Sequence, residues 1–294
     1  KPMILFCRLE VTDMENNLLS EFERIRPQLR SYILRMTASA ADTDDIIQDT
    51  WVKASRNIAS FQGNSSLKTW LFAIAANLAK DNQRYKKRWT EDVTDIAREA
   101  ALGNRAFFEE AMAIRSTSLQ GNFEIKEHIA FCFTCISKSL PLEQQIALLL
   151  KEVYEFKLKE VAVIMDTSEA MAKYNLHVGR SKMIEIFDRR CALVNKEGMC
   201  HQCTELNGIF NPRQNAQVEL MKIEMARDAT NKGKEELFDL RMKVVQGIDP
   251  FESGAAELQL HHLEHNRQVM ERHLKGKLPL SPDSSLSPED TLEN

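Results

Sequence analysis

Residues 42–88 read DTDDIIQDTWVKASRNIASFQGNSSLKTWLFAIAANLAKDNQRYKKR, which is two amphipathic segments joined by a loop of Gly, Asn and Ser and followed by a basic run. In the second segment, apolar side chains recur at i, i+3, i+4, i+7 and i+11: Leu67, Trp70, Leu71, Ile74 and Leu78. This is the spacing of one helix face. It therefore predicts a helix whose apolar stripe packs inward.

The opposite face of this predicted helix carries amide, carboxylate and basic side chains, and the basic ones continue to its end: Asn77, Lys80, Asp81, Arg84, Lys87 and Arg88. Such a face suits contact with phosphates and exposed bases, although an ordinary solvated face has the same residue types. The preceding loop offers Phe61, Asn64 and Ser65, an aromatic ring and short polar groups that can hold an unstacked base. Ser65 or Ser66 also fits a structural role as a helix cap.

The first segment, from about Asp42 to Ser60, is a second amphipathic helix. Its apolar side is expected to be buried and comprises Ile46, Ile47, Thr50, Trp51, Ala54 and Ile58. The other side presents an acidic patch, formed by Asp45, Gln48, Asp49 and Val52. This patch suits a basic protein partner.

Residues 41–54 and 70–81 together resemble the second conserved region of the bacterial extracytoplasmic-function (ECF) sigma factors. The resemblance implies that the acidic helix docks on the clamp helices of the polymerase beta-prime subunit through Asp45, Gln48 and Asp49. It also implies that the loop and the next helix capture the melted minus-ten element of a promoter. The candidates for that role are Phe61, Asn64, Ser65, Asn77, Lys80, Asp81, Arg84, Lys87 and Arg88.

A helix-turn-helix is predicted further along the chain. Pro141 starts one helix, residues 158–164 form a short one, and Ser168 caps a longer one. On the last helix an inward face is expected from Ala172, Leu176, Gly179 and Met183, and an outward face from Glu169, Lys173, Tyr174, His177, Arg180 and Ser181.

The stretch from Leu140 to Ile186 is similar to the fourth conserved region of the same sigma family. This implies contact with the polymerase beta flap and recognition of the minus-thirty-five element by Ser168, Lys173, Tyr174, His177 and Arg180. The chain departs from the family pattern at residues 170–172 and at Asn175, where an arginine is frequent. These departures change the side chains that are offered to DNA.

We therefore predict an all-α protein of two small helical domains joined by a linker, with a helical extension. The predicted segments are a leader (1–14), sigma region 2 (15–89), a linker with some helix (90–122), a region 4 helix-turn-helix (123–190), a Cys-containing helical extension (191–274) and a disordered acidic tail (275–294). Within the first domain, Thr12 to Glu15 predicts a helix start and Pro27 a break or a new first turn.

Composition limits the function classes. The 294 residues carry a formal net charge of −4, so DNA contact must come from local basic patches. No apolar run is long enough to span a bilayer and no signal peptide is present, which predicts a cytoplasmic protein that does not contact the membrane. No phosphate-binding glycine loop and no nucleophile with a supporting base is found, so an enzyme is not expected.

Cysteines and histidines leave alternatives open in the extension. Cys132 and Cys135 are expected to be buried core thiols. Cys191, Cys200 and Cys203, with His201, offer zinc or redox chemistry, but a packed Cys-containing turn is favoured and no cofactor is predicted. A later helix carries His261, His262, His265 and His273; His262 with His265, or His261 with His265, could share a face and bind a metal, although surface histidines on an interaction helix are favoured.

The extension is expected to bind an anti-sigma factor or another regulatory partner, or to regulate access to polymerase. Two other functions stay open at this point. One is a stand-alone helix-turn-helix regulator that binds duplex DNA without polymerase. The other is a metal- or thiol-responsive sensor that acts through the extension.

Overall fold

The computed structural model describes residues 2–117, 125–191, 193–194 and 223–276, with side chains from residue 14 onward and without those of residues 115–117. The helices are α1 (Pro2–Thr37), α2 (Ala40–Asn57), α3 (Leu67–Gln83), α4 (Val93–Leu102), α5 (Arg105–Thr117), α6 (Ile125–Ser137), α7 (Leu142–Leu148), α8 (Leu158–Ile164), α9 (Glu169–Arg190), α10 (Glu224–Arg227), α11 (Lys234–Gln246) and α12 (Ala256–Leu274). The all-α prediction is confirmed for the described residues.

The chain divides into two compact units, each built from two separate segments. The first unit contains Lys1–Lys86 and Pro141–Arg180, and the second contains Lys87–Leu140 and Ser181–Asn294. These units do not follow the predicted domain boundaries, which stay a prediction about how the chain divides for function. The difference arises because helices that are distant in sequence bury their apolar faces against one another.

Helix α1 is continuous over 36 residues. The predictions of a helix start at Thr12 and of a break at Pro27 are therefore wrong. Pro27 has no backbone N–H and costs the helix one hydrogen bond, but its ring lies on the exposed side. On the other side Ile25, Leu29 and Tyr32 are at most 1% exposed, and this burial holds both halves of the helix in line.

Helix α2 begins at a capped N-terminus, because the Ser39 side chain accepts a hydrogen bond of 3.1 Å from the Asp42 backbone N–H. Its predicted apolar side is buried except at Trp51, which is half-buried and packs its ring 5.0 Å from that of Phe22. A short 3-10 turn at Ile58–Ser60 ends the segment. The acidic side of α2 is thereby left facing outward.

The buried face of α3 is rotated from the predicted one. Of the predicted stripe, Leu71 is buried while Leu67, Trp70, Ile74 and Leu78 are half-buried. The inward line combines the large ring of Phe72 with small or polar side chains: Thr69, Ala75, Ala76, Ala79 and Gln83. Alanines let α1 and α2 approach α3 closely, and α7 and α8 pack against it as well. The periodicity identified the helix correctly. It predicted burial of the large apolar residues, whereas the line of alanines is the more deeply buried side of the helix.

The predicted helix-turn-helix is present. Helix α7 continues as a π-helical turn at Leu149–Val153, α8 follows, and Met165 to Thr167 form the turn before α9. Asp166 takes a positive φ of 50°, which asparagine and aspartate tolerate better than most residues. The Ser168 side chain caps α9 by accepting a 3.2 Å hydrogen bond from the Met171 backbone N–H.

The second unit combines the segment predicted as a linker with the extension. Residues 93–117 form α4 and α5, and α12 packs against both of them and against α6. Helix α11 packs against α6 as well. Every residue of α6 except Lys126 is buried as a result. The extension thus supplies part of the core of this unit.

Candidate nucleic-acid interface

The acidic side of α2 is solvent-exposed at all of its predicted contact residues, Asp45, Gln48 and Asp49. Two neighbouring carboxylates are paired, since Arg30 lies 2.9 Å from Asp44 and Lys86 lies 2.9 Å from Asp42. In the described part of the chain, by contrast, Asp45 and Asp49 form no ion pair. One helical turn apart, these two carboxylates can accept hydrogen bonds from a basic protein surface without giving up an internal partner.

The loop before α3 is held at both ends. Phe61 is half-buried with its ring 5.3 Å from that of Trp70, and Gly63 turns the chain at a φ of +71°. Ser66, one of the two residues considered for the cap, accepts a 3.1 Å hydrogen bond from the Thr69 backbone N–H. Asn64 is exposed and Ser65 partly so. The loop therefore combines an aromatic ring with short polar groups, and residues of these types can hold an unstacked base.

Helix α3 presents Asn77 and Asp81 to solvent, and Arg84 is exposed directly after its end. Lys80 is half-exposed, with its Nζ 3.9 Å from Glu143 Oε1. The helix ends at Gln83, so the basic run does not continue its outer face as the sequence suggested. Lys87 and Arg88 are exposed but belong to the second unit, where Lys87 Nζ donates a 3.1 Å hydrogen bond to the Leu274 carbonyl.

One exposed aromatic residue near this surface was missed. Tyr85 is 89% exposed and follows Arg84 directly. An aromatic side chain within a basic run can stack on a base while its neighbours contact phosphates. The sequence carries this signal in Arg84-Tyr85-Lys86-Lys87-Arg88, where an aromatic residue lies within the basic run.

Helix α9 exposes the predicted contact residues Lys173, Tyr174 and His177, with Tyr174 at 59% exposure. Ser168 is exposed while its hydroxyl is engaged as the cap of the helix. Arg180 differs from these residues because it is half-buried and its Nη1 lies 3.2 Å from Glu152 Oε2. The partner Glu152 was not expected from the sequence, since it lies on the π-helical turn of another element.

The inward face of α9 is close to the predicted one, with Ala172, Gly179 and Met183 buried and Leu176 half-buried. Packing explains the glycine at position 179, because a Cβ there would lie 3.1 Å from the Gln144 carbonyl oxygen. The close approach of α9 to α7 thus depends on a residue without a side chain. Asn175, at the position where an arginine is frequent in the family, is buried rather than presented to solvent.

The cysteines whose side chains the structure describes, Cys132, Cys135 and Cys191, are interior groups. Cys132 and Cys135 are buried, as predicted, and burial raises the pKa of the Cys135 thiol to about 12. Cys191 is buried and accepts a 3.0 Å hydrogen bond from Arg241 Nη2. Cys200, His201 and Cys203 lie outside the described residues. Within those residues, no group of three or more His, Cys, Asp or Glu side chains could hold a metal ion.

Three histidines of α12, His261, His262 and His265, pack against other helices, so the prediction of surface histidines is wrong for them. His261 stacks on Phe107 of α5 at 4.8 Å between ring centroids, and His265 lies 4.2 Å from the same ring. His262 is 8% exposed, and burial lowers its pKa to about 3. Because α12 packs against three helices at once, its buried face is wider than its aliphatic stripe.

Residues 22–90 match the family model described as sigma-70 region 2, and residues 131–183 match the model described as sigma-70 region 4. The ECF RNA polymerase sigma factor EcfG of Rhodopseudomonas palustris is 30% identical over 158 residues, which cover 53% of this chain and 77% of that relative. The ECF RNA polymerase sigma-E factor of Escherichia coli K12 is 30% identical over 145 residues, 49% of this chain and 72% of that relative.

A solved structure of the sigma factor RpoE with the anti-sigma factor NepR from Bartonella quintana is similar at 18% identity and a TM-score of 0.39. The alignment covers 58% of this chain and 97% of that one. No helix in the described ranges is both long and apolar enough to cross a membrane.

Proposed function

We propose that this chain, which belongs to the ECF family of RNA polymerase sigma factors, performs promoter recognition through three exposed surfaces. The first is the acidic side of α2, for polymerase. The second is the loop before α3 with the outer side of that helix, for the melted minus-ten element. The third is the outer side of α9, for the minus-thirty-five element.

The observation that carries the proposal is the pair of free carboxylates on α2. Asp45 and Asp49 are exposed and have no ion-pair partner in the described chain, although Arg30 and Lys86 lie close enough to neutralise neighbouring carboxylates. Exposed charges that are left without a partner favour association with an oppositely charged surface. Gln48 lies between them and adds an amide. We assign these three side chains to the beta-prime clamp helices.

The minus-ten surface would hold single-stranded DNA by stacking and by charge. Phe61 and the exposed Tyr85 offer rings for unstacked bases. Asn64, Ser65, Asn77 and Asp81 offer hydrogen bonds to base edges, and the basic side chains of the same unit, Lys80 and Arg84, contact phosphates.

The minus-thirty-five surface would use a recognition helix in the major groove of duplex DNA. Lys173, Tyr174 and His177 are exposed on one side of α9 and could reach base edges or phosphates. Arg180 could take part only after leaving Glu152. Ser168 lies at the N-terminus of α9 and would contact DNA from there. Other parts of the same domain would contact the beta flap of the polymerase.

The remaining features fit a non-catalytic initiation factor that acts in the cytoplasm, where polymerase and promoter DNA are found. The extension would act through the second unit, because α11 and α12 pack against α6, and α12 also against α4 and α5. A regulatory protein, such as an anti-sigma factor, that bound the extension would therefore act on the helices between the two sigma regions.

The test is run-off transcription with purified core polymerase on genomic DNA fragments, with and without this chain. New discrete transcripts that start at shared promoter sequences are expected. The matched control is a Lys173→Ala, His177→Ala double variant, which should lose transcripts that depend on an upstream element while it still co-elutes with core polymerase. The absence of new transcripts and of co-elution would contradict the proposal.

A further inference from the structure

Arg241 of α11 is a buried cation in the second unit. In the described part of the chain it forms no ion pair with an aspartate or glutamate. Its Nη2 donates a 3.0 Å hydrogen bond to the Cys191 sulfur, and its Cζ lies 3.7 Å from the centroid of the Phe187 ring. An aromatic face offsets only part of the cost of burying a charge. Arg241 therefore requires a negative charge close by.

The Cys191 sulfur can supply this negative charge. A guanidinium group only donates hydrogen bonds, so the sulfur must be the acceptor. An ionised acceptor makes a much stronger bond to a guanidinium than a neutral one does. The thiolate is also the form of cysteine that acts as a nucleophile. The contact is thus suited to hold a reactive thiolate inside the unit.

A small cavity lies beside this contact and is lined by Cys191, Arg241 and Arg190, among others. Its volume of about 10 Å³ is near the smallest that holds one water molecule. Arg190 is buried and pairs with Asp95, but its Nε has no hydrogen-bond partner in the chain as described. This donor can bond to an oxygen atom in the cavity. The cavity therefore suits a molecule about as small as water that carries oxygen.

We propose that Cys191 is a peroxide-reactive thiolate that Arg241 holds and activates. The sulfur attacks one oxygen of hydrogen peroxide, so that an S–O bond forms, the O–O bond breaks, and hydroxide leaves and takes up a proton to become water. The sulfur is oxidised to a sulfenic acid and the peroxide is reduced. None of these residues belongs to the three surfaces that we assign to polymerase and DNA, so the inference does not depend on the proposed function.

Oxidation removes the charge on which Arg241 depends. The sulfenic acid formed in this step is neutral and one oxygen atom larger than the thiolate. A buried guanidinium then loses its counter-charge, and a close-packed interior tolerates the extra atom poorly. Because α11 packs against α6, the packing of these two helices should loosen when Cys191 is oxidised.

The test treats the full-length chain with hydrogen peroxide in the presence of excess dimedone, which traps sulfenic acids before another thiol reaches them. Mass spectrometry of peptides quantifies the label at each cysteine separately. The matched control is Cys132, which lines the same cavity and, like Cys191, is 7% exposed. Peroxide should therefore reach the two sulfur atoms equally well, and a difference in labelling reports their reactivity.

We expect Cys191 to be labelled at least about tenfold faster than Cys132, because an ordinary thiol is only a few per cent thiolate near about pH 7. Equal labelling rates at the two cysteines would overturn the inference. So would the absence of label at Cys191.

Two variants test the role of Arg241. Arg241→Met removes the charge and should bring the labelling rate of Cys191 close to that of Cys132, whereas Arg241→Lys keeps a positive charge and should leave Cys191 the faster of the two. Hydrogen exchange of α6 peptides distinguishes this result from unfolding of the unit, and the comparison within the unaltered chain needs no variant. Undiminished labelling of Cys191 in a folded Arg241→Met variant would overturn the inference.

A final measurement follows the consequence of oxidation. Hydrogen exchange of α6 and α11 peptides should become several-fold faster when Cys191 is oxidised, while peptides of α1–α3 stay unchanged. The Cys191→Ser variant, treated with peroxide in the same way, controls for oxidation elsewhere and should show no further change. Unaltered exchange of α11 after complete oxidation of Cys191 would show that Arg241 does not depend on the thiolate.

Discussion

The two compact units differ in where they keep their charged side chains. Among the described residues, the first unit buries one basic or acidic side chain, that of Arg35, whereas the second buries a larger set: Glu127, His128, Lys138, Arg190, Arg241 and His262. The first unit therefore leaves its charges at the surface, where polymerase and DNA can reach them. The second unit uses charge and imidazole groups inside its core, so its stability should depend on ion pairing and on pH.

The largest expected effect is the loss of an aromatic side chain from the first unit. Phe72→Ala removes a completely buried ring and should lower the local free energy of unfolding by about 3–5 kcal/mol. Hydrogen exchange of α1–α3 peptides measures this change. Leu19→Ala, at a position that is 47% exposed in the same unit, is the control and should cost much less. Similar losses in the two variants would show that Phe72, whose ring packs against those of Tyr154 and Phe156, is not part of the core of this unit.

The second effect is the loss of a buried ion pair from the second unit. Arg190 is 5% exposed and pairs with Asp95, so Asp95→Ala leaves a guanidinium without its carboxylate partner. We expect a cost of about 2 kcal/mol, reduced from that of a fully buried pair because Asp95 is partly exposed. Hydrogen exchange of α4 and α9 peptides reports it. Asp92→Ala, one helical turn earlier and exposed, is the matched control. An equal loss of stability in this variant would show that the Arg190–Asp95 ion pair does not stabilise the unit.

The third effect is a difference between the two units in how their stability depends on pH. Burial lowers the pKa of His128 to about 4 and that of His262 to about 3, whereas both residues titrate near 6.5 when unfolded. The unfolded state therefore binds protons first. Stability is complete above about pH 6.5 and is lost as the pH falls toward the two folded-state values.

Between pH 7.5 and pH 6 these two histidines should together cost the second unit about 1.5 kcal/mol. Hydrogen exchange of α6 and α12 peptides at the two pH values, corrected for intrinsic rates, measures the change. Peptides of α1–α3 serve as the internal control. An equal change in the two units would contradict the contrast between them.

The smallest expected effect compares a free and a paired basic residue on α9. Lys173 is exposed, so Lys173→Ala should weaken binding to upstream duplex by about 1 kcal/mol and lower the salt slope by about one. Arg180→Ala should weaken duplex binding less than Lys173→Ala does, because Arg180 is paired with Glu152. Salt titrations of duplex binding compare the two variants. A larger effect at Arg180 would mean that the ion pair opens on DNA.

The sequence predicted the presence of the helices and the exposure of the acidic side of α2 well, because periodic apolar residues and capping residues act locally. The buried side of α2 and the Ser168 cap are examples. It failed where the outcome depends on neighbours distant in the chain. Pro27 lies within a helix because burial of Leu29 and Tyr32 outweighs one lost hydrogen bond. His262 is interior because α12 packs against three helices that come from other segments.

In the candidate site, too, local features were predicted from the sequence and features that depend on tertiary packing were not. Exposure of Asp45, Asp49 and Lys173 followed from helical spacing. The pairing of Arg180 with Glu152 and the end of α3 before Lys87 did not, since both depend on tertiary packing. Tyr85 was within reach of sequence reasoning, because an aromatic residue inside a basic run is visible without a structure.

The affinity of an Asp45→Ala, Asp49→Ala variant for core polymerase tests the central assignment most directly. We expect the variant to bind core polymerase at least about tenfold more weakly, equivalent to 1.4 kcal/mol, with hydrogen exchange of α1–α3 unchanged. Glu23→Ala is the matched control, because Glu23 is an exposed acidic residue on α1. Undiminished binding by the double variant, together with full transcription, would contradict the assignment of this surface to polymerase.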